Sequence, residues 1–288
     1  MVVDFTKMDG AGNDFVLIDN RAQNIRLDGQ AARRLCDRHR GIGADGVILL
    51  KPCASKRADW TWDFYNSDGS MAEMCGNGAR CFGRFVQRLT GGAASFTLEA
   101  RAGVIAIRCD GERVSIQLTA PKDLRLNQVV PLSAGPTAIY SLDTGVPHAV
   151  LFVEDAGQCK VQAIGSEIRF HRHFAPRGTN VNFVQLLGGN QIRVRTYERG
   201  VEGETLACGT GVTASALVAA EVHHLQSPID VQVEGGKLLQ VGFKKSGGQY
   251  AEATLSGPAD FVFEGRIEWP DAETTSEGKT AEPAMASR

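Results

Sequence analysis

The chain has 288 residues, 43% of them apolar, and a formal net charge of −2. That is enough apolar surface for one large core or two ordinary ones, and it excludes global disorder. No basic stripe offers a footprint for nucleic acid, and no apolar run approaches the ~18 residues of a membrane span.

The opening "MVVDFTKMDG" shows no basic segment followed by an apolar one, so no secretory leader is expected. Seven cysteines, an odd number scattered along the chain, predict free thiols in a reducing, cytoplasmic setting. Neither a Cys-x-x-Cys pair nor a clustered Cys/His spacing occurs, so no metal site is expected.

In chain order, the first predicted elements are strands at 15–19 ("FVLID"), 46–51 ("GVILLK") and 60–65 ("WTWDFY"), with a helix at 31–39 between the first two. "EMCGNGARC" follows at 73–81. Phe82, Phe85, Val86 and Leu89 then fall at i, i+3, i+4 and i+7, one apolar helical face. Strands at 95–100, 104–109 and 114–118 complete this series. The Pro-containing "TAPKDLRL" at 119–126 reads as a junction. A second series has strands at 148–154, 181–187 and 191–198, then "LACGTGVTA" at 206–214 and a helix over 213–222 that is small or apolar nearly all round. Strands at 229–236, 238–243 and 252–257 follow. The polar tail from residue 271 is expected to be disordered.

Each series thus runs strands, Cys-Gly-x-Gly, helix, strands, the signature of two similar halves. A cysteine just before a helix faces unpaired N–H groups and the positive end of the helix dipole. That effect, worth up to ~2 kcal/mol, brings a free thiol from ~8.5 to about 7–8. The glycines let backbone N–H groups approach an anion with no Cβ in the way. Two such helix starts facing each other would hold one carboxylate and place a thiol on each face of the carbon attached to it. One sulfur removes a proton, the other supplies one from the opposite side, and the centre inverts without a cofactor. A nucleotide-binding reading fits less well. "GIGADG" at 41–46 follows a helix and precedes a strand, the reverse of a dinucleotide turn, and "GTGVTA" at 209–214 does not follow its strand directly.

"KMDGAGNDFVLIDNR", "GIGADGVILL", "FYNSDGSMAEMCGNGARC", "GVPHAV", "GTNVNF" and "TYERGVEGETLACGTG" together resemble the diaminopimelate epimerase family, in family order from Lys7 to Thr210. "SGPADFVFEG" resembles the family's closing segment. The resemblance implies an α/β (α+β) fold of two pseudo-symmetric domains, each a barrel-like mixed β-sheet around a central helix. The domains would be residues 1–120, joined by a returning segment at about 261–270, and 121–260, with 271–288 as the tail. It implies an epimerase independent of pyridoxal phosphate and of any other cofactor, interconverting LL- and meso-2,6-diaminopimelate for lysine and peptidoglycan-precursor synthesis. A homodimer acting on a small amino-acid substrate is implied, with no nucleic acid or membrane partner.

By the same resemblance, Cys75 and Cys208 match the acid/base pair. Gly76 with Asn77, and Gly209 with Thr210, match the residues whose N–H groups hold the reacting carboxylate. His148 and Glu198 match polar partners of the thiols, which fits a need to accept or relay their protons. Asn13 matches a substrate-binding asparagine; Asn66, Asn180 and Arg199 match groups that grip the distal end, a role that suits the arginine fork. The chain departs from many members at Gly46 (often glutamine), Val146 (often asparagine) and Asp9 (often histidine), and "RGVEGET" is one residue longer than usual. These changes leave the chemistry intact and open a second reading, a related cofactor-independent racemase or isomerase with another or broader substrate. A third reading, from another class, is a nucleotide- or metabolite-binding protein whose helix starts merely hold an anion.

Overall fold

The structure is a computed structural model that describes residues 1–269; the tail expected at 271–288 lies outside the described residues. The first half comprises β1 (Val2–Asp9), β2 (Asp14–Asp19), α1 (Gly29–Cys36), β3 (Gly46–Pro52), β4 (Trp60–Asn66), α2 (Gly76–Leu89), β5 (Ser95–Ala100), β6 (Gly103–Asp110) and β7 (Arg113–Leu118). The second comprises β8 (Lys122–Leu132), β9 (Gly135–Asp143), β10 (Pro147–Phe152), α3 (Val161–Arg169), β11 (Asn180–Gly188), β12 (Gln191–Glu198), β13 (Gly203–Thr205), α4 (Gly209–His223), β14 (Ile229–Val233), β15 (Leu238–Ser246) and β16 (Gln249–Pro258). The last strand, β17 (Asp260–Glu268), goes back to the first half.

Strand pairing makes one continuous ribbon. It runs β17–β1–β2–β3–β4–β5–β6–β7 and, across a β7–β16 join, β16–β15–β14–β12–β11–β10–β9–β8, with β13 also on β12. The two stretches repeat the same grammar. β2 and β3 are parallel across α1, as β10 and β11 are across α3. β4 and β5 are parallel across α2, as β12 and β14 are across α4. The other neighbours along the ribbon are antiparallel. This is a mixed α/β fold of two pseudo-symmetric halves. Each half-sheet curls round its helix: α2 touches β1, β2, β3, β6 and β7, and α4 touches strands from β9 to β16. Among the described residues no pairing joins β17 to β7 or β8 to β16, so each curl stays open.

The sequence shows why two helices per half are needed. "GVILL" in β3 is buried on both faces, as expected of a strand covered twice. Val47 and Leu49 meet α1, whereas Ile48 and Leu50 meet the core around α2. β11 does the same, with Val181 and Phe183 on the α3 side and Val184 on the α4 side. α2 is amphipathic and buries Phe82, Phe85 and Val86, each worth ~1.5–3 kcal/mol. α4 is buried continuously from Gly211 to Ala219, as a helix apolar on all sides requires. α1 is capped by Asp28 and ends at Cys36, short of the expected residue 39. The Asp37 carboxylate accepts from the His39 and Arg40 N–H groups and turns the chain out. Among the described residues no helix is long and apolar enough to cross a membrane.

Candidate active site

Cys75 and Cys208 are the N-cap residues of α2 and α4, both with extended backbone. The two helix starts meet: a Cβ built on Gly209 would lie 3.8 Å from the Gly76 Cα. Asn77 Nδ2 also reaches the Ala207 carbonyl at 3.4 Å. Leu255 of β16 lies under both starts, its Cδ2 at 3.4 Å from a Cβ on Gly76 and 2.9 Å from one on Gly209. A side chain at 209 would press on the Leu255 methyl.

Cys208 is 8% exposed and Cys75 half-buried, and both are free thiols. Burial, the largest effect, raises the Cys75 pKa; the Gly78 and Asn77 N–H groups pull it down, and the Glu198 carboxylate adds to the rise. Burial and then Glu198 push Cys208 up to about 12, against the Thr210 hydroxyl at 3.5 Å and the Gly211 N–H. The expectation of thiols near 7–8 is therefore corrected: the helix-end effect is present, but desolvation and a neighbouring carboxylate outweigh it. Glu198 is itself raised by burial, despite a 2.9 Å hydrogen bond from Thr205 Oγ1. Cys75, Cys208 and Glu198 form one acidic cluster in which each negative charge discourages the next.

A cavity of about 530 Å³ opens at Cys208 and Thr210 and runs between the halves. Of the expected residues, Asn180, Glu198 and Arg199 line it as well, and so does Val146. Arg199 is held from behind, its N–H donating to Asn180 Oδ1 at 2.9 Å. Cys75, Gly76, Asn77 and Gly209 lie at the helix starts beside the cavity rather than in its lining, although Glu73 and Met74 are part of it. Asn13 does not reach the cavity. It accepts from Asn77 Nδ2 at 2.6 Å and donates to Asp45 at 2.9 Å, bracing the start of α2. Asn66 is the last residue of β4, its Nδ2 donating to Ser70 Oγ at 3.0 Å, and it is not part of the cavity lining. His148 is fully buried on β10 and hydrogen-bonds Asn182, not a thiol. Burial and then the Arg199 charge push its imidazole down to about 3.

The departures are placed too. A Cβ on Gly46 would meet the Phe64 ring and the Tyr65 carbonyl, each at 2.8 Å, so a side chain has no room there. Asp9 Oδ1 accepts from Gly12 N at 2.9 Å and shapes the loop after β1. The lengthened turn puts Glu202 at φ +55°, where it pairs with Arg169 at 2.9 Å and closes the β12–β13 hairpin.

Two buried polar residues escaped the sequence reading. Arg80 is fully buried, donates to the Gly10 carbonyl at 2.9 Å and to Asn77 Oδ1 at 2.8 Å, and has no carboxylate partner among the described residues. Its i, i+3 spacing from Asn77 was the available signal. Asn182 is fully buried beside α4. Its signal was a polar residue in alternation with an apolar run in "NVNFV".

The chain is similar to known proteins in both sequence and fold. A family model described as diaminopimelate epimerase matches residues 5–122 and 140–262, leaving out most of the β8–β9 hairpin. The diaminopimelate epimerase of Aquifex aeolicus is 41% identical over 278 residues, covering 92% of this chain and 98% of that one. That of Chlorobaculum tepidum is 40% identical, covering 90% and 99%. Among solved structures, a Bacillus anthracis phenazine biosynthesis protein of the PhzF family shares the fold, with a TM-score of 0.70 at 14% identity and coverage of 93% and 99%. So does a hydroxyproline epimerase from Agrobacterium vitis, with a TM-score of 0.67 at 16% identity and 92% of each chain covered. With two cysteine-capped helix starts meeting at one cavity and sequence similarity over nine-tenths of its length, the chain is an isomerase that belongs to the diaminopimelate epimerase family.

Proposed function

We propose that the protein interconverts LL- and meso-diaminopimelate by two-base proton transfer between Cys75 and Cys208, without a cofactor. The observation that carries the reading is the convergence of the two cysteine-capped helix starts beside the cavity, with Glu198 acting on both thiols. The reacting carboxylate sits between the N–H groups of Gly76, Asn77, Gly209 and Thr210, while Asn180 and Arg199 hold more distant polar groups. One cysteine enters as thiolate and the other as thiol. The thiolate takes the α-hydrogen as a proton, and the electron pair left on carbon spreads into the carboxylate. The N–H groups and helix dipoles stabilise the charge that gathers there. The thiol then gives its proton to the opposite face. Charge balances, the centre is inverted, and the sulfurs have exchanged states. Glu198, already raised by burial, is the carboxylate that takes the first thiol's proton as substrate enters.

Purified protein in deuterated water with LL-diaminopimelate tests this. Conversion to the meso form with deuterium at one α-carbon supports it; stereochemical change in Cys75→Ala or Cys208→Ala at the wild-type rate refutes the two-thiol assignment. Binding without exchange would leave only an anion-holding protein.

A second reading, a broader substrate range, is favoured by Val146, which lines the cavity and offers no side-chain hydrogen bond to a distal group. A lost bond of this kind to a charged group is worth ~1.5–3 kcal/mol. Comparable kcat/KM for shorter amino acids would favour it. We also read the halves as two domains, 1–120 with the returning segment and 121–260, in a cytoplasmic homodimer; sedimentation of the purified chain tests the dimer.

A further inference from the structure

His148 and Asn182 face the same interior. Val150 and Val184, the next residues on the same faces of their strands, lie in the core around α4, whereas Ala149, Leu151, Val181 and Phe183 lie in the core around α3. Both polar residues are fully buried. Asn182 Nδ2 stands 3.0 Å from the Ala149 carbonyl oxygen and 3.2 Å from His148 Nδ1. Thr196 Oγ1 donates to Asn182 Oδ1 at 3.0 Å. A carbonyl oxygen can only accept, so the amide atom facing it is the nitrogen. That same NH2 group meets His148 Nδ1, which must accept with its lone pair. The imidazole is neutral at pH 7, because burial and Arg199 disfavour its charged form. A neutral ring with a bare Nδ1 carries its proton on Nε2. Nε2 is buried and has no hydrogen-bond partner among the described residues. The adjacent ring carbon, Cε1, lies 3.3 Å from a Cβ built on Gly211, in the first turn of α4, whose N–H is directed at the Cys208 thiol.

We propose that Asn182 is a positioning residue that locks His148 as an Nε2–H donor beside the first turn of α4. His148 then carries its proton on Nε2, beside the helix start that Cys208 caps, and cannot take up a thiol proton there. The proton-accepting role implied for His148 passes to Glu198. The kinetic consequence rests on the two-thiol reading; the tautomer does not.

Nitrogen-15 NMR of the histidine rings at pH 7 tests the tautomer in the wild-type protein, with His148 assigned by loss of its signals in His148→Gln or by through-space contacts to the Val150 and Val184 methyls. A protonated Nε2 and a bare Nδ1 are expected. A protonated Nδ1, or rapid averaging of both forms, overturns the proposal. Asn182→Asp presents an acceptor oxygen to Nδ1 and should move the proton there, with kcat down tenfold or more and KM little changed. An inverted tautomer with wild-type kcat would overturn the functional half. The wild-type spectrum decides the tautomer even if the variant does not fold. Failure of the epimerase reading itself would appear separately, as absence of turnover in a wild-type protein whose His148 carries the Nε2 proton.

Discussion

At the scale of the residue, burial wins over the helix dipole. Both thiols lie above the ordinary thiol range, so in the free protein they are largely protonated at pH 7. The thiolate fraction grows as pH rises, so kcat/KM should climb from pH 6 to 9. Glu198→Gln removes a carboxylate that raises both thiols, and the rising limb should move to lower pH while kcat falls; pH–rate profiles of both proteins check this. His148 has the opposite sign for stability. Its folded pKa of about 3 lies below its unfolded ~6.5, so the neutral ring's contribution is complete above ~6.5 and declines as pH falls toward 3. The slope from one proton is about 1.4 kcal/mol per pH unit. Urea midpoints should drop from pH 6.5 to 4 in the wild type and drop less in His148→Gln. The two Cys-Gly-x-Gly stretches were legible because chemistry and local backbone coincide there. Asn182 and Arg80 were not, because a buried polar residue is distinguished by partners that only folding brings: an Ala149 carbonyl from another strand, a Gly10 carbonyl from a distant loop.

At the scale of the element, the site depends on how closely α2 and α4 can start beside each other. Leu255 is the spacer beneath both. Leu255→Ala should cost ~2–5 kcal/mol and also depress turnover, since Gly76 and Gly209 at the two helix starts lose the side chain beside them; denaturant melts and steady-state rates check the pair of effects. Gly211→Ala would set a Cβ 2.3 Å from Asn182 Oδ1, which the surrounding core cannot absorb freely. It should cost ~1–3 kcal/mol and reduce activity more than an alanine at the exposed Gly189 turn would restore or remove. Most strands were legible from apolar runs between turns. β8 was read as a junction because its residues are mostly exposed and show no alternation. β1 lacks alternation for the opposite reason: four consecutive residues, Phe5 to Met8, are buried, two of them polar. α3 hides in a polar surface segment with three buried residues.

At the scale of the molecule, the halves repeat one pattern but are not independent. β7 and β16 pair over Arg113–Leu118, and Arg80 inside α2 donates to the Pro258 carbonyl at the link between β16 and β17. β17 then covers β1, with Val2 opposite Glu268 and Asp9 opposite Asp260. A chain ending after Pro258 would leave the outer edge of β1 unpaired and Phe5 without Phe263, whose ring stands edge-on at 5.9 Å. Such an edge templates association with other chains. The truncated protein should melt lower and aggregate on heating, although every residue of the candidate site is still present; light scattering against temperature checks this.

That return of the last strand to the first also sets a schedule for biosynthesis. The amino-terminal half leaves the ribosome first, yet its sheet lacks an outer strand until the second half has been made. The half that is translated second has all its own strands earlier, relative to its synthesis, and should become protease-resistant on stalled nascent chains before the half that preceded it.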